Sequence, residues 1–360
     1  MNRNLWIESP TDAKLDRLCN ELADRAAELD RQQAWPEEQL RLCAEAGLWR
    51  WFLSPADGGL GWSEADLMRG YLRLARACLT TTFVITQASG ALRRIATSQH
   101  DEVRERVLPA LLAGDAFTTL GISHLTTSRR HLAEPALRAT PEGDGFRLDG
   151  YSPWVTGGLY ADWIVTGAQL ADGRQILTIV PTSAAGVDCD EPTELVALSG
   201  SKTGAVQLRE VFVDSAWLLA GPVENVLVGA KGASTGGLQT SALAIGLADA
   251  AVTLVEAERA RRTELDEAAA ALRHELGAVM SDLLSLAEGE AVCTSEQLRS
   301  RANSLVLRAS QAALTAAKGT GFVTGHPAGR WCREALFFLV WSCPAPVVAS
   351  NLCELAGIES

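Results

Sequence analysis

Apolar residues recur at three- and four-residue spacings from about residue 12 to 118, as in LDRLCNELADRAAELDRQ and EEQLRLCAEAGLWRW. That spacing predicts amphipathic helices. The breaks carry information: SPADGGLGWSEADL (54–67) has turn chemistry from Pro55 to Gly61, and then Ser63 in position to cap a helix that begins at Glu64. Helical stretches are expected over 64–98 and 101–113, the second closing at Gly114. After about residue 118 the texture changes. GFRLDGY, WIVTGAQL, RQILTIVP and AVQLREVFV are short, rich in β-branched residues and separated by Gly, Asp and Pro, the pattern of an antiparallel sheet or barrel. From about 232 to 357 long Ala- and Leu-rich helices return, with a polar break at 287–296 and Gly/Pro breaks at 319–329. Small residues in LADAAVTLVEAERARR allow close helix approach in a bundle. The expected division is a helical domain over 1–117, a β domain over 118–222 and a helical bundle over 223–360.

Composition narrows the partners. The 360 residues are 47% hydrophobic and 21% charged, a globular balance, and the formal net charge of −12 argues against nucleic acid or an anionic membrane surface. A small molecule or another protein is the expected partner. Residues 1–17 hold no apolar leader region, and runs such as ALFFLVW (335–341) fall short of spanning length, so we expect a soluble, cytoplasmic chain without a membrane span. The eight cysteines are scattered without a CxxC pair, which fits reduced core thiols and no metal site.

Several strings invite a chemical reading. GTGFVTG (319–325) has the spacing GxGxxxG after a helical ALTAAK, where a dinucleotide fingerprint needs GxGxxG after a strand. SGSKTG (199–204) lacks the glycines of a phosphate loop and reads as a turn between strands. HLTTSRRH (124–131) is a solvated basic loop or an anion-binding one, since Arg129 and Arg130 suit a phosphate or pyrophosphate. In SPWVTGG (152–158), Trp154 and Thr156 occupy alternate strand positions and share a face, where they serve the core or frame a planar cofactor.

The order of elements and four strings resemble the acyl-CoA dehydrogenase family of flavoproteins. These are GLWRWFLSPADGGLGWSEADLMRGYLRLARACLTTTFVI, GDGFRLDGYSPWVTGGLYADWIV, LSGSKTGAVQLREVFVDSAWLLAG and GTGFVTGHPAGRWCREALFFLVW, over about residues 15–350. The resemblance implies an α+β multidomain fold: an N-terminal helical domain, a middle antiparallel β-barrel and a C-terminal four-helix bundle, assembled as a homodimer or homotetramer. It implies FAD between barrel and bundle, with Trp154 and Thr156 against the flavin and Arg262 toward a partner's FAD phosphates. His124 through His131 replace the family's cofactor loop, which brings His124, Thr126 and Arg130 to the cofactor. Gly319 falls in the glycine pair near the cofactor's adenine side. Three residues beyond Arg262 the family's aromatic-glycine pair is Leu265 and Asp266, and its glutamine is Thr315.

The family's reaction needs a carboxylate to remove the α-proton of an acyl thioester while a hydride leaves to the flavin. Ungapped alignment puts Trp341 at the aromatic position and Ser342 at the glutamate, followed by Cys343 and Pro344. The alternative glutamate position on the first bundle helix falls on Gly236. Neither offers a base, His124 is the nearest candidate, and Trp341, Ser342 and Cys343 would line the substrate pocket. The leading expectation is a flavin-dependent oxidoreductase with an altered site, acting on an acyl-CoA or related small substrate; relatives that use oxygen need no such base, so a monooxygenase-like role stands within it. The alternatives are a fold-retaining binding or assembly protein without functional FAD, and an unrelated chemistry through Cys343 with a histidine. Cys343 as a small buried hydrophobe is the plain reading.

Overall fold

The computed structural model describes residues 3–98, 100–126, 134–228 and 237–358. The N-terminal region holds α1 (Ala13–Gln32), α2 (Glu37–Glu45), α3 (Glu64–Ala77), α4 (Leu79–Ala96) and α5 (Asp101–Ala113). Ser63 caps α3 by accepting from the Asp66 amide at 3.1 Å, and Gly114 closes α5 at φ 71°. The stretch expected to be helical over 64–98 is two helices. Cys78 between them is extended at φ −153° and ψ 105°, so the chain turns and sets α4 across α3.

The strands follow as β1 (Thr118–Gly121), the short helix α6 (Ser123–Thr126), β2 (Leu137–Glu142), β3 (Gly145–Thr156), β4 (Trp163–Gln169), β5 (Gln175–Pro181), β6 (Val187–Cys189), β7 (Thr203–Asp214) and β8 (Leu218–Val223). They make one sheet in the order β6-β7-β3-β2-β4-β5-β8, with β1 on β4. Most pairs are antiparallel, as the short alternating segments predict; β1 and the single bridge from β2 run parallel to β4. GTGFVTG ends a helix and SGSKTG is a turn leading into β7.

The C-terminal region is α7 (Leu238–Arg259), α8 (Asp266–Ala287), α9 (Ser295–Gly321), α10 (Pro327–Ala335) and α11 (Ala345–Ala356). Among the described residues α7 is the one helix long and apolar enough to cross a membrane; here it is mostly buried, packed by α3, α8 and α9. Gly246 of α7 lets α3 approach so closely that a Cβ there would sit 2.5 Å from the Leu72 carbonyl oxygen. One apolar core therefore runs through both helical regions, and a second fills the sheet around Leu148, Val155, Ile176 and Val206.

Candidate active site

The three regions meet around a cavity of about 630 Å³, within the usual range for small-molecule sites. Its sheet wall comes from β3. Trp154 lines the cavity and is 47% exposed, while Thr156 two positions on is 3% exposed. The Thr156 hydroxyl lies 3.0 Å from that of Thr203, which meets Ser201 at 2.9 Å, and Thr119 donates to the Thr156 carbonyl at 2.7 Å. Ser123 and Thr126 of α6 close this side. The Ser123 hydroxyl is buried with no hydrogen-bond partner among the described residues, and Thr126 donates to the Ser123 carbonyl at 2.9 Å.

The opposite wall is α3 and α4. Met68 and Tyr71 face it from α3, with the Tyr71 hydroxyl 2.8 Å from that of Ser89, and burial pushes the phenol pKa up. From α4 come Phe83, Thr86, Gln87, Arg93 and Arg94. Arg93 reaches Glu64 at 3.7 Å. Arg94 is 4% exposed and donates to the Gly90 carbonyl at 3.0 Å; burial, and then the neighbouring Arg93 charge, push its pKa down to about 10. The third wall is the segment after α10, where Phe337 and Trp341 stack at 5.0 Å and Phe83 meets them edge-on at 4.8 and 5.1 Å. Ser342 ends this wall in the left-handed region at φ 47°. Arg333 guards the rim, held by Asp30 of α1 at 2.6 and 3.1 Å.

Among the described lining residues none is Asp, Glu or His. Three guanidinium groups, hydroxyls and the amides of Gln87 and Gln239 supply the polarity. The arrangement can stack a flat ring, donate hydrogen bonds and receive negative charge; among the described residues it holds no carboxylate or imidazole to accept a proton near neutral pH.

Thr126, Trp154, Thr156, Trp341 and Ser342, singled out from sequence, all line this cavity. His124 does not. Its ring is 7% exposed and turned toward the sheet, where Nε2 donates to the Gly167 carbonyl at 2.7 Å, and burial holds its pKa below the usual histidine value. Cys343 lies behind the wall, donating to the Phe338 carbonyl at 3.1 Å. Arg262 is away from the cavity, where it pairs with Glu258 at 3.1 Å and donates to the Ala316 carbonyl. Gly319 is exposed at the end of α9, past a kink at Lys318. Arg130 and Gly236 lie outside the described residues. Sequence reasoning missed Arg93 and Arg94. The signal was the adjacent pair in GALRRIA: on a helix with apolar residues nearly all round, two consecutive arginines cannot both point to solvent.

Comparison with known proteins agrees with this architecture. Residues 14–115 match the family described as "Acyl-CoA dehydrogenase, N-terminal domain". A probable acyl-CoA dehydrogenase of Bacillus subtilis (strain 168) is 24% identical over 241 residues, 64% of this chain, and the chain spans 62% of that relative's length. The solved glutaryl-coenzyme A dehydrogenase complex with glutaryl-CoA superposes with a TM-score of 0.81 at 17% identity, covering 97% of this chain and 96% of that one. The glutaryl-CoA dehydrogenase of Mycobacterium smegmatis, solved in complex with FADH2, gives 0.79 at 18% identity over 98% and 96%. By sequence, residues 14–115 match the acyl-CoA dehydrogenase N-terminal domain, and along nearly its whole length the chain shares the fold of solved acyl-CoA dehydrogenases.

Proposed function

We propose that this protein is a flavin-dependent oxidoreductase that works without a carboxylate base and acts on an acyl thioester or a related small substrate. The observation that carries it is the cavity lining, which joins the half-exposed Trp154 indole and buried hydroxyls to a wall with no Asp, Glu or His among the described residues. The ring end of FAD fits these residues. Trp154 offers a flat apolar ring of the right kind for a ring system, and the buried Ser123 hydroxyl lacks, among the described residues, a partner that a heteroatom of such a ring would provide. Thr156 would stand at the ring edge with its own hydroxyl steadied by Thr203. FAD is also the cofactor present, in reduced form, in the M. smegmatis neighbour. Arg130 would meet the phosphates. Bound flavin supplies two-electron redox chemistry and, with molecular oxygen, oxygenation.

The chain's own groups set the limits of the reaction. The stacked Phe337 and Trp341 rings, with Phe83 edge-on to them, make the wall after α10 apolar where it meets α4. Arg93 and Arg94 favour a substrate that is anionic or becomes so. At the position where the resemblance puts the family's glutamate, Ser342 presents a hydroxyl, which keeps its own proton at neutral pH and without a neighbouring base cannot take another. Ordinary α,β-dehydrogenation would therefore forgo the factor of about 10²–10⁴ that a general base contributes. An oxygen-using, monooxygenase-like reaction has no such requirement. The exposed apolar residues Leu352, Leu355 and Ile358 support a homodimer or homotetramer, and a monomeric mass by light scattering would remove that part of the proposal.

The Ser342→Glu variant tests the missing base. In FAD-loaded protein mixed with a straight-chain acyl-CoA under anaerobic conditions, the variant should bleach flavin colour at least about tenfold faster than the parent. A variant no faster than the parent, with FAD and acyl-CoA both bound, would show that the base position is assigned wrongly. The second reading, a binding or assembly protein without flavin, is favoured by the internal engagement of Arg262 with Glu258 and Ala316. Failure to take up FAD would support it.

A further inference from the structure

Two buried polar side chains on one face of α9 reach the back of the aromatic cavity wall. Arg299 is 3% exposed and Asn303, one helical turn further, is fully buried. Arg299 Nη2 donates to the Trp341 carbonyl at 2.9 Å, and Asn303 Nδ2 donates to the Phe338 carbonyl at 2.9 Å. The Cys343 thiol joins them on the Phe338 carbonyl at 3.1 Å and lies 4.0 Å from Arg299. These two carbonyls belong to the short segment from which Phe337, Trp341 and Ser342 face the cavity.

Stability alone does not account for Arg299. Among the described residues its Nε and Nη1 have no hydrogen-bond partner and no carboxylate pairs with it. Burial accordingly holds its pKa below the usual arginine value. A guanidinium buried this way costs several kcal/mol unless compensated, and the Phe338 ring at 5.8 Å returns only a small part. The cost is understandable where the bond it secures is needed. Ser342 sits at φ 47°, a conformation that persists only when surrounding contacts over-determine it, and the carbonyl before it is the one Arg299 holds.

We infer that Arg299 and Asn303 are positioning residues, which hold the carbonyls of the Phe338–Trp341 segment and so fix the ligand-facing wall formed by Phe337, Trp341 and Ser342. The inference rests on the cavity being the ligand site proposed above and extends it to side chains that do not line the cavity.

The test compares Arg299→Met, Arg299→Lys and Asn303→Leu with the parent and with Trp341→Leu, each shown to be folded by far-ultraviolet circular dichroism. Near-ultraviolet dichroism reports the aromatic stack without any cofactor, and titration reports FAD affinity. Arg299→Met and Asn303→Leu should lose the near-ultraviolet signal that Trp341→Leu loses and weaken FAD binding by about tenfold, while Arg299→Lys keeps both within about threefold. A folded Arg299→Met or Asn303→Leu with the parental near-ultraviolet spectrum would overturn the inference, as would a lysine variant as damaged as the methionine one. If the parent itself takes up no FAD, the flavin reading falls, and the near-ultraviolet comparison still decides the positioning role.

Discussion

Glu334 on α10 is 2% exposed, with Arg330 Nε 3.5 Å from one carboxylate oxygen and no hydrogen bond to the other among the described residues. Burial pushes its pKa from 4.5 up to about 7, against the opposing pull of Arg330 and Arg333, with Asp30 adding to the rise. The folded form therefore keeps its proton where the unfolded chain has lost it. The stabilisation from this proton is fully present below about pH 4.5 and is lost as the pH rises through about 7, by up to about 3 kcal/mol. Urea unfolding across that window should show the parent weakening relative to Glu334→Gln; parallel curves would refute the assignment. The same scale shows what sequence can and cannot reveal. Alternate strand positions were enough to place Trp154 and Thr156 on one face. The direction of the His124 ring was not, because it depends on where the Gly167 carbonyl of another strand stands.

Among the elements, the crossing of α3 and α7 fixes how the helical regions enclose the cavity. A Cβ on Gly246 would lie 2.5 Å from the Leu72 carbonyl oxygen and 2.9 Å from the Ala75 Cβ, so Gly246→Ala should force the helices apart and cost about 1–3 kcal/mol. Gly277 in α8 is the contrasting case. A Cβ there meets nothing within 4 Å, so Gly277→Ala should stabilise the protein by about 0.5–1 kcal/mol through helix propensity alone. Opposite signs in thermal unfolding are expected, and stabilisation by both would contradict the close crossing. Helix starts such as Ser63 and stops such as Gly114 were legible because capping is local chemistry. The turn at Cys78 was not: no Gly or Pro marks it, and it is the packing of α4 against α3 that imposes it.

At the scale of the whole molecule, the helix–sheet–helix order follows from hydrophobic period alone, since periods of 3.6 and 2 separate cleanly over segments this long. The parallel placement of β1 beside β4 was not readable, because strand pairing is decided by partners distant in sequence. The cavity exists only because all three regions contribute to it: β3 and α6, α3 and α4, and the segment after α10. Its arginines, and the lack of a carboxylate among its described lining residues, are likewise properties of the assembled fold. The central claim, that this cavity holds a flavin against Trp154, is tested most directly by titrating the purified protein with FAD and following visible absorbance. The account predicts saturable binding with perturbed flavin bands, weakened at least about tenfold by Trp154→Ala. Flavin bands unchanged from those of free FAD at saturating protein, in parent and variant alike, would contradict it.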